Sequence, residues 1–97
     1  MIKKRFENTF GSSEFKRILK VNKVKRIAIF GSYASGQQRK ESDVDFLVEF
    51  EKSADLLDQV GLKQDLEGLL KKDVDVVTPL SLSRYMREKV LREAVYL

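Results

Sequence analysis

A chain of 97 residues is the size of one compact domain, and 42% hydrophobic against 35% charged residues supplies a core while excluding a wholly disordered chain. It contains no cysteine and no histidine, which excludes disulfides, thiolate catalysis and the commonest zinc ligand and general base. Carboxylates, hydroxyls and lysines must therefore carry any chemistry. The net charge of +4 is unevenly spread: residues 1 to 40 hold eleven Lys/Arg against two Asp/Glu (+9), and residues 41 to 97 hold eight against thirteen (−5). Residues 1 to 11 fit neither the helical nor the strand period and stay unassigned. Ser12 or Ser13 caps a short helix whose Phe15, Ile18 and Leu19 share one face. Arg26 to Phe30 is a compact apolar strand that breaks at Gly31-Ser32, a turn that can start a short helix. After a polar loop, Val44, Phe46, Val48 and Phe50 alternate with Asp43, Asp45, Leu47 and Glu49, giving a strand with one apolar face. Leu62, Leu66, Leu69 and Leu70 define a helix within 54 to 71, weakened by Gly61 and Gly68. Asp73 to Val77 is a short strand closed by Pro79, the only proline. Leu82, Met86, Val90, Leu91, Ala94 and Val95 line a last helix beginning near Ser81 or Ser83. This succession of elements specifies an α/β (α+β) domain.

No repeat, linker or low-complexity tract divides the chain, so one continuous domain over 1–97 is expected. No window has the apolar length of a membrane span, and Met1 to Phe6 lacks the apolar run of a signal peptide, so the expected location is cytoplasmic. The runs Lys3-Lys4-Arg5 and Lys23/Lys25-Arg26 are too sparse to mark a nucleic-acid patch, and no direct nucleic-acid contact is expected.

Aspartate is depleted in strands, so Asp43 and Asp45 at alternate positions of one strand need a reason. Residues i and i+2 share a face with attachment points about 6.6 Å apart, close enough to converge on hard cations. Magnesium favours such ligands and completes its octahedral shell with waters and substrate phosphates. Alone, Asp-x-Asp also fits an exposed strand edge. Asp75, on a separate strand with Asp73 on its face, brings a third carboxylate, and three such groups repel unless a cation is bound. Gly31-Ser32 stands where a buried strand opens into a turn, whose free amides and hydroxyl suit phosphate oxygens. Gly31 to Gly36 imitates the start of a P-loop, but Gln37-Gln38 stands where Lys-Ser/Thr is required, so that reading is rejected.

The motifs Gly31-Ser32-Tyr33-Ala34-Ser35-Gly36 and Ser42-Asp43-Val44-Asp45-Phe46-Leu47-Val48 together resemble the signature of minimal nucleotidyltransferases, within the DNA polymerase β-like superfamily. The similarity runs from about Ile27 to the end, including Asp75 and the terminal Arg92 to Leu97. The resemblance implies a small mixed β-sheet flanked by helices, the polymerase β-like palm. It implies that Gly31 and Ser32 bind the triphosphate of ATP, that Asp43 and Asp45 ligate Mg2+, and that Asp75 is the third catalytic and metal-binding carboxylate. Many relatives carry arginine where Ser35 stands, so one cationic contact is missing, and Arg39 or Lys40 is the expected substitute. Relatives of this length resemble antitoxins paired with a HEPN-domain ribonuclease toxin, which implies AMP transfer to a tyrosine of that partner within a hetero-oligomer. The alternatives are a non-catalytic module that neutralises its partner by masking, and transfer to a small molecule or RNA end, for which relatives carry a further domain. Tyr85, Met86, Val90 and Tyr96 of the last helix are expected first in core packing and second as partner contact area.

Overall fold

Two apolar strand patterns and the apolar residues of the helices have to be buried against one another, and the chain solves this around one four-stranded sheet. The structure, a computed structural model, describes residues 4–97. In chain order the elements are α1 (Lys4–Phe10), α2 (Ser13–Val21), β1 (Val24–Phe30), α3 (Ser32–Ser35), β2 (Val44–Phe50), α4 (Leu56–Leu70), β3 (Val74–Val77), a 3-10 turn (Pro79–Ser81), α5 (Arg84–Glu93) and β4 (Val95–Tyr96). The sheet order is β3-β2-β1-β4, with β2 parallel to β3 and antiparallel to β1, and β4 antiparallel to β1. The sheet is therefore mixed, and helices flank it.

Side-chain alternation sorts the strands into two faces. Ile27 and Ile29 of β1, Val44, Phe46 and Val48 of β2 and Val74 of β3 join Phe6, Phe15, Ile18, Leu62, Leu66 and Leu70 in the main core. The helices α1, α2 and α4 thus share one face. On the other face Ala28 and Leu47 meet Val90 of α5, a much smaller cluster completed by Phe30, Val77, Leu82 and Ala94. Leu47, the one apolar residue on the polar side of β2, is there because α5 covers that part of the sheet.

Helix starts follow the capping rules. Ser12 accepts the Phe15 amide, Ser83 accepts the Met86 amide, and Asp55 with Asp58 forms a reciprocal capping box ahead of α4. Gly61 is not a mere weakness in α4. A Cβ there would lie 2.8 Å from Asn22 Oδ1, so the glycine admits buried Asn22, whose Nδ2 donates to Ile18 O at 2.8 Å and to Asp65 Oδ2 at 2.9 Å.

Three expectations are corrected. Residues 4 to 10 of the unassigned segment form a helix, while 1 to 3 lie outside the described residues. The last helix stops at Glu93, and Val95 pairs with Ile29 as a strand instead of continuing it. Core packing holds for Val90 alone among the four residues named for it: Tyr85 is 76% exposed, Met86 42% and Tyr96 43%. Among the described residues no helix is long and apolar enough to cross a membrane.

Candidate active site

Backbone register brings the acidic residues to the end of the sheet where β1 terminates. Asp45 is the partner of Phe30 on β1 and, across the other side of β2, the partner of Asp75 on β3. Phe30 immediately precedes Gly31, so Asp45 abuts both the phosphate-type turn and the third carboxylate. Asp43 is exposed one residue before β2, held by a turn in which Ser42 Oγ accepts the Arg39 amide at 2.8 Å and Arg39 O accepts the Ser42 amide at 3.0 Å. The Val44 amide donates to Asp73 O at 3.0 Å, which locks the starts of the two parallel strands together. Asp73 itself is an exposed acid just ahead of β3.

Gly31 has φ +75° and ψ −150°, a conformation that only glycine adopts without strain. A Cβ at this position would also collide with Asp45 Oδ2. The missing side chain lets the turn close down on the carboxylate. Beyond it, Ser32 opens the single turn α3, in which the Ala34 and Ser35 amides both donate to Gly31 O at 3.1 Å, leaving the Ser32 and Tyr33 amides without a partner inside the helix. The Ser32 hydroxyl has no hydrogen-bond partner among the described residues, whereas Ser35 Oγ is occupied, donating to Ser32 O at 3.2 Å.

Burial pushes the Asp45 carboxyl up to about 6, with repulsion from Asp75 and then Asp43 adding to it. Among the described residues no lysine or arginine forms an ion pair with any of the three. Nor are three acidic groups already gathered closely enough there to enclose an ion. Carboxylate oxygens without a cationic partner are an incomplete donor set, of the kind a hard divalent cation completes with water and phosphate oxygens.

A cleft of about 540 Å³ adjoins the turn, lined by Gly31, Ser32, Ala34, Ser35 and Gln37 on one side and by Lys89 and Glu93 of α5 on the other. Its size lies within the range of small-molecule sites. Neither Arg39 nor Lys40 lines it. Lys40 faces a separate cleft of about 520 Å³ with Ser42, Glu67, Lys71, Lys72 and Asp73. The cation beside Gly31-Ser32 is Lys89, whose ammonium pairs with no described residue. Nothing in the local pattern marks it; the signal available was that it directly precedes Val90, the residue that seats α5 on the sheet.

Comparison with known proteins gives the family and the fold. The model of the family described as "Nucleotidyltransferase domain" matches residues 12–97. A Methanocaldococcus jannaschii protein named for protein adenylyltransferase activity is 49% identical over 78 residues, 80% of this chain and 84% of the relative. A solved structure of a minimal nucleotidyltransferase superposes with TM-score 0.77 at 41% identity, covering 93% of this chain and 94% of its own. A second match, with TM-score 0.62 and 27% identity over 86% of this chain and 65% of the other, comes from a complex of a tri-AMPylated Shewanella oneidensis HEPN toxin with an MNT antitoxin. The chain belongs to the nucleotidyltransferase domain family.

Proposed function

We propose that this chain is a magnesium-dependent protein adenylyltransferase that moves AMP from ATP to a tyrosine of a HEPN-domain partner, acting as its antitoxin in a cytoplasmic hetero-oligomer. The observation that carries the reading is the placement of Asp45, which stands opposite both Asp75 and the residue before Gly31, with its carboxylate filling the space a Gly31 side chain would take. The named activity of the M. jannaschii relative and the AMPylated toxin in the S. oneidensis complex support the acceptor class.

In this reading the Ser32 hydroxyl and the Ser32 and Tyr33 amides hold the triphosphate, and Lys89 adds the positive charge that Ser35 does not supply. Asp43 and Asp45, with Asp75, hold the magnesium. Bound magnesium offsets the charge of the phosphates and polarises them toward attack. Asp75 takes the proton of the acceptor hydroxyl as its oxygen bonds to the α-phosphorus, while the bond to the β-phosphate oxygen breaks and pyrophosphate leaves. The test incubates the protein with α-labelled ATP, magnesium and the HEPN partner. Label is expected on the partner's tyrosine and is expected to vanish in Asp43→Ala/Asp45→Ala.

Masking without chemistry is the second reading, favoured by the exposure of Tyr85, Met86 and Leu80 near the start of α5. Full neutralisation of the toxin by the double variant, with no label transferred by the wild type, would establish masking in place of transfer.

A further inference from the structure

The third carboxylate rides on the weakest part of the sheet. β3 has four residues and lies at the edge, paired only with β2. Short edge strands fray, and one lost residue of pairing would swing Asp75 away from Asp45. The side of β3 turned away from β2 is nevertheless engaged. Lys63 Nζ of α4 donates to Val74 O at 2.8 Å, the Val74 amide donates to Glu67 Oε2 at 3.1 Å, and Lys63 Nζ donates to the same Glu67 Oε2 at 2.9 Å. Lys63 and Glu67 are one helical turn apart, so the three bonds close a bracket around one peptide residue, the one directly before Asp75.

We infer that Lys63 and Glu67 are positioning residues for Asp75, holding β3 in the register that sets this carboxylate opposite Asp45. The inference rests on the transfer reading above for its catalytic meaning. The Val74 side chain is anchored inward, 2% exposed in the main core, and its backbone is anchored outward by the bracket. With residue 74 held from both sides, strand alternation leaves Asp75 one direction in which to point. Lys63 also stays charged: its bond to Glu67 raises its proton affinity, and the nearby Asp73 and Asp75 add to that. A cation thus sits behind the strand without forming an ion pair with Asp75, leaving that carboxylate for the site.

The experiment compares wild type, Lys63→Met, Glu67→Met and Lys63→Arg by amide hydrogen exchange and by steady-state transfer to the HEPN partner. In Lys63→Met and Glu67→Met, exchange at Val74 and Asp75 is expected to speed up roughly tenfold while Ile27 to Ile29 of β1 are unmoved. The turnover number is expected to fall roughly ten- to a hundredfold with KM for ATP within about twofold, because Gly31-Ser32 is untouched. Lys63→Arg, which keeps the charge and the donors, restores both. Unchanged turnover in Lys63→Met and Glu67→Met, or unchanged exchange at Val74, overturns the inference. A wild type that transfers nothing, with Val74 exchange still faster in the two methionine variants, overturns the transfer reading itself and the catalytic role with it.

Discussion

The two faces of the sheet divide the labour. One is sealed by α1, α2 and α4 over a continuous apolar cluster in which Phe46, Ile29, Leu62 and Leu66 are fully buried. Among the described residues the other carries only Ala28, Leu47 and Val90 as its buried cluster, and beside them Asp45 with its raised proton affinity. A site that crowds like charges costs folding energy, so the opposite face must supply the surplus. Strand alternation makes this division possible, since neighbouring residues such as Asp45 and Phe46 serve opposite faces without competing.

That contrast can be broken by substitutions confined to one side. Leu66→Ala empties space in the main core and is expected to lower stability by about 2–5 kcal/mol. Chemical denaturation reads that loss, and turnover well below the melting temperature should stay within about twofold. Gly31→Ala acts from the other side. The collision with Asp45 Oδ2 and the backbone strain, about 1–3 kcal/mol, should cost some stability and at least roughly a hundredfold in transfer. A Gly31→Ala protein with wild-type turnover would show that the turn need not touch the carboxylate. Lys89→Met is expected to weaken ATP binding about tenfold and adenosine binding not at all, measured by calorimetry, with Lys89→Arg close to wild type.

The smallest effect concerns pH. Asp45 binds its proton more tightly when folded, at about 6 against an ordinary 3.8, so the folded state holds more protons between those values. Metal-free stability therefore falls as pH rises through that window and carries the full penalty above 6. Solvent access screens the effect, and Asp45→Asn is expected to gain about 1 kcal/mol at neutral pH in metal-free buffer, converging with wild type below about pH 4. Parallel melting curves across pH would show that Asp45 is not under charge stress.

Much of this was legible in local patterns. The alternation from Asp43 to Phe50 gave both the strand and its two faces, because period two is a property of the backbone and requires no partner. The caps were legible to within two residues for the same reason, since they act within one turn: of Ser12 or Ser13 and Ser81 or Ser83, the structure uses Ser12 and Ser83. Lys4–Phe10 was not legible: Phe6 and Phe10 are its only strong apolar anchors, and besides nearby Phe15 their rings settle on Tyr33 and Phe46, residues distant in sequence. The helical spacing of Val90, Leu91, Ala94 and Val95 runs unbroken into Val95 and predicts helix there. Only the free edge of β1 turns Val95–Tyr96 into a strand, with Arg26 lying 4.3 Å from the Tyr96 ring centroid.

The cationic neighbour of the turn shows the same limit. Proximity in sequence favoured Arg39 and Lys40, whereas the fold brings Lys89 from more than fifty residues away. The sequence by itself supplied the candidate groups, because Asp45 on a strand, Asp43 just ahead of it and Gly31-Ser32 upstream already hold the carboxylates, the hydroxyl and the turn. Tertiary structure decided which groups meet: Asp75 reaches Asp45 through parallel register, Lys89 reaches the turn through the docking of α5, and Lys63 with Glu67 reaches Val74 through the packing of α4. Local backbone periodicity fixes where a side chain points, but only long-range packing fixes what it points at.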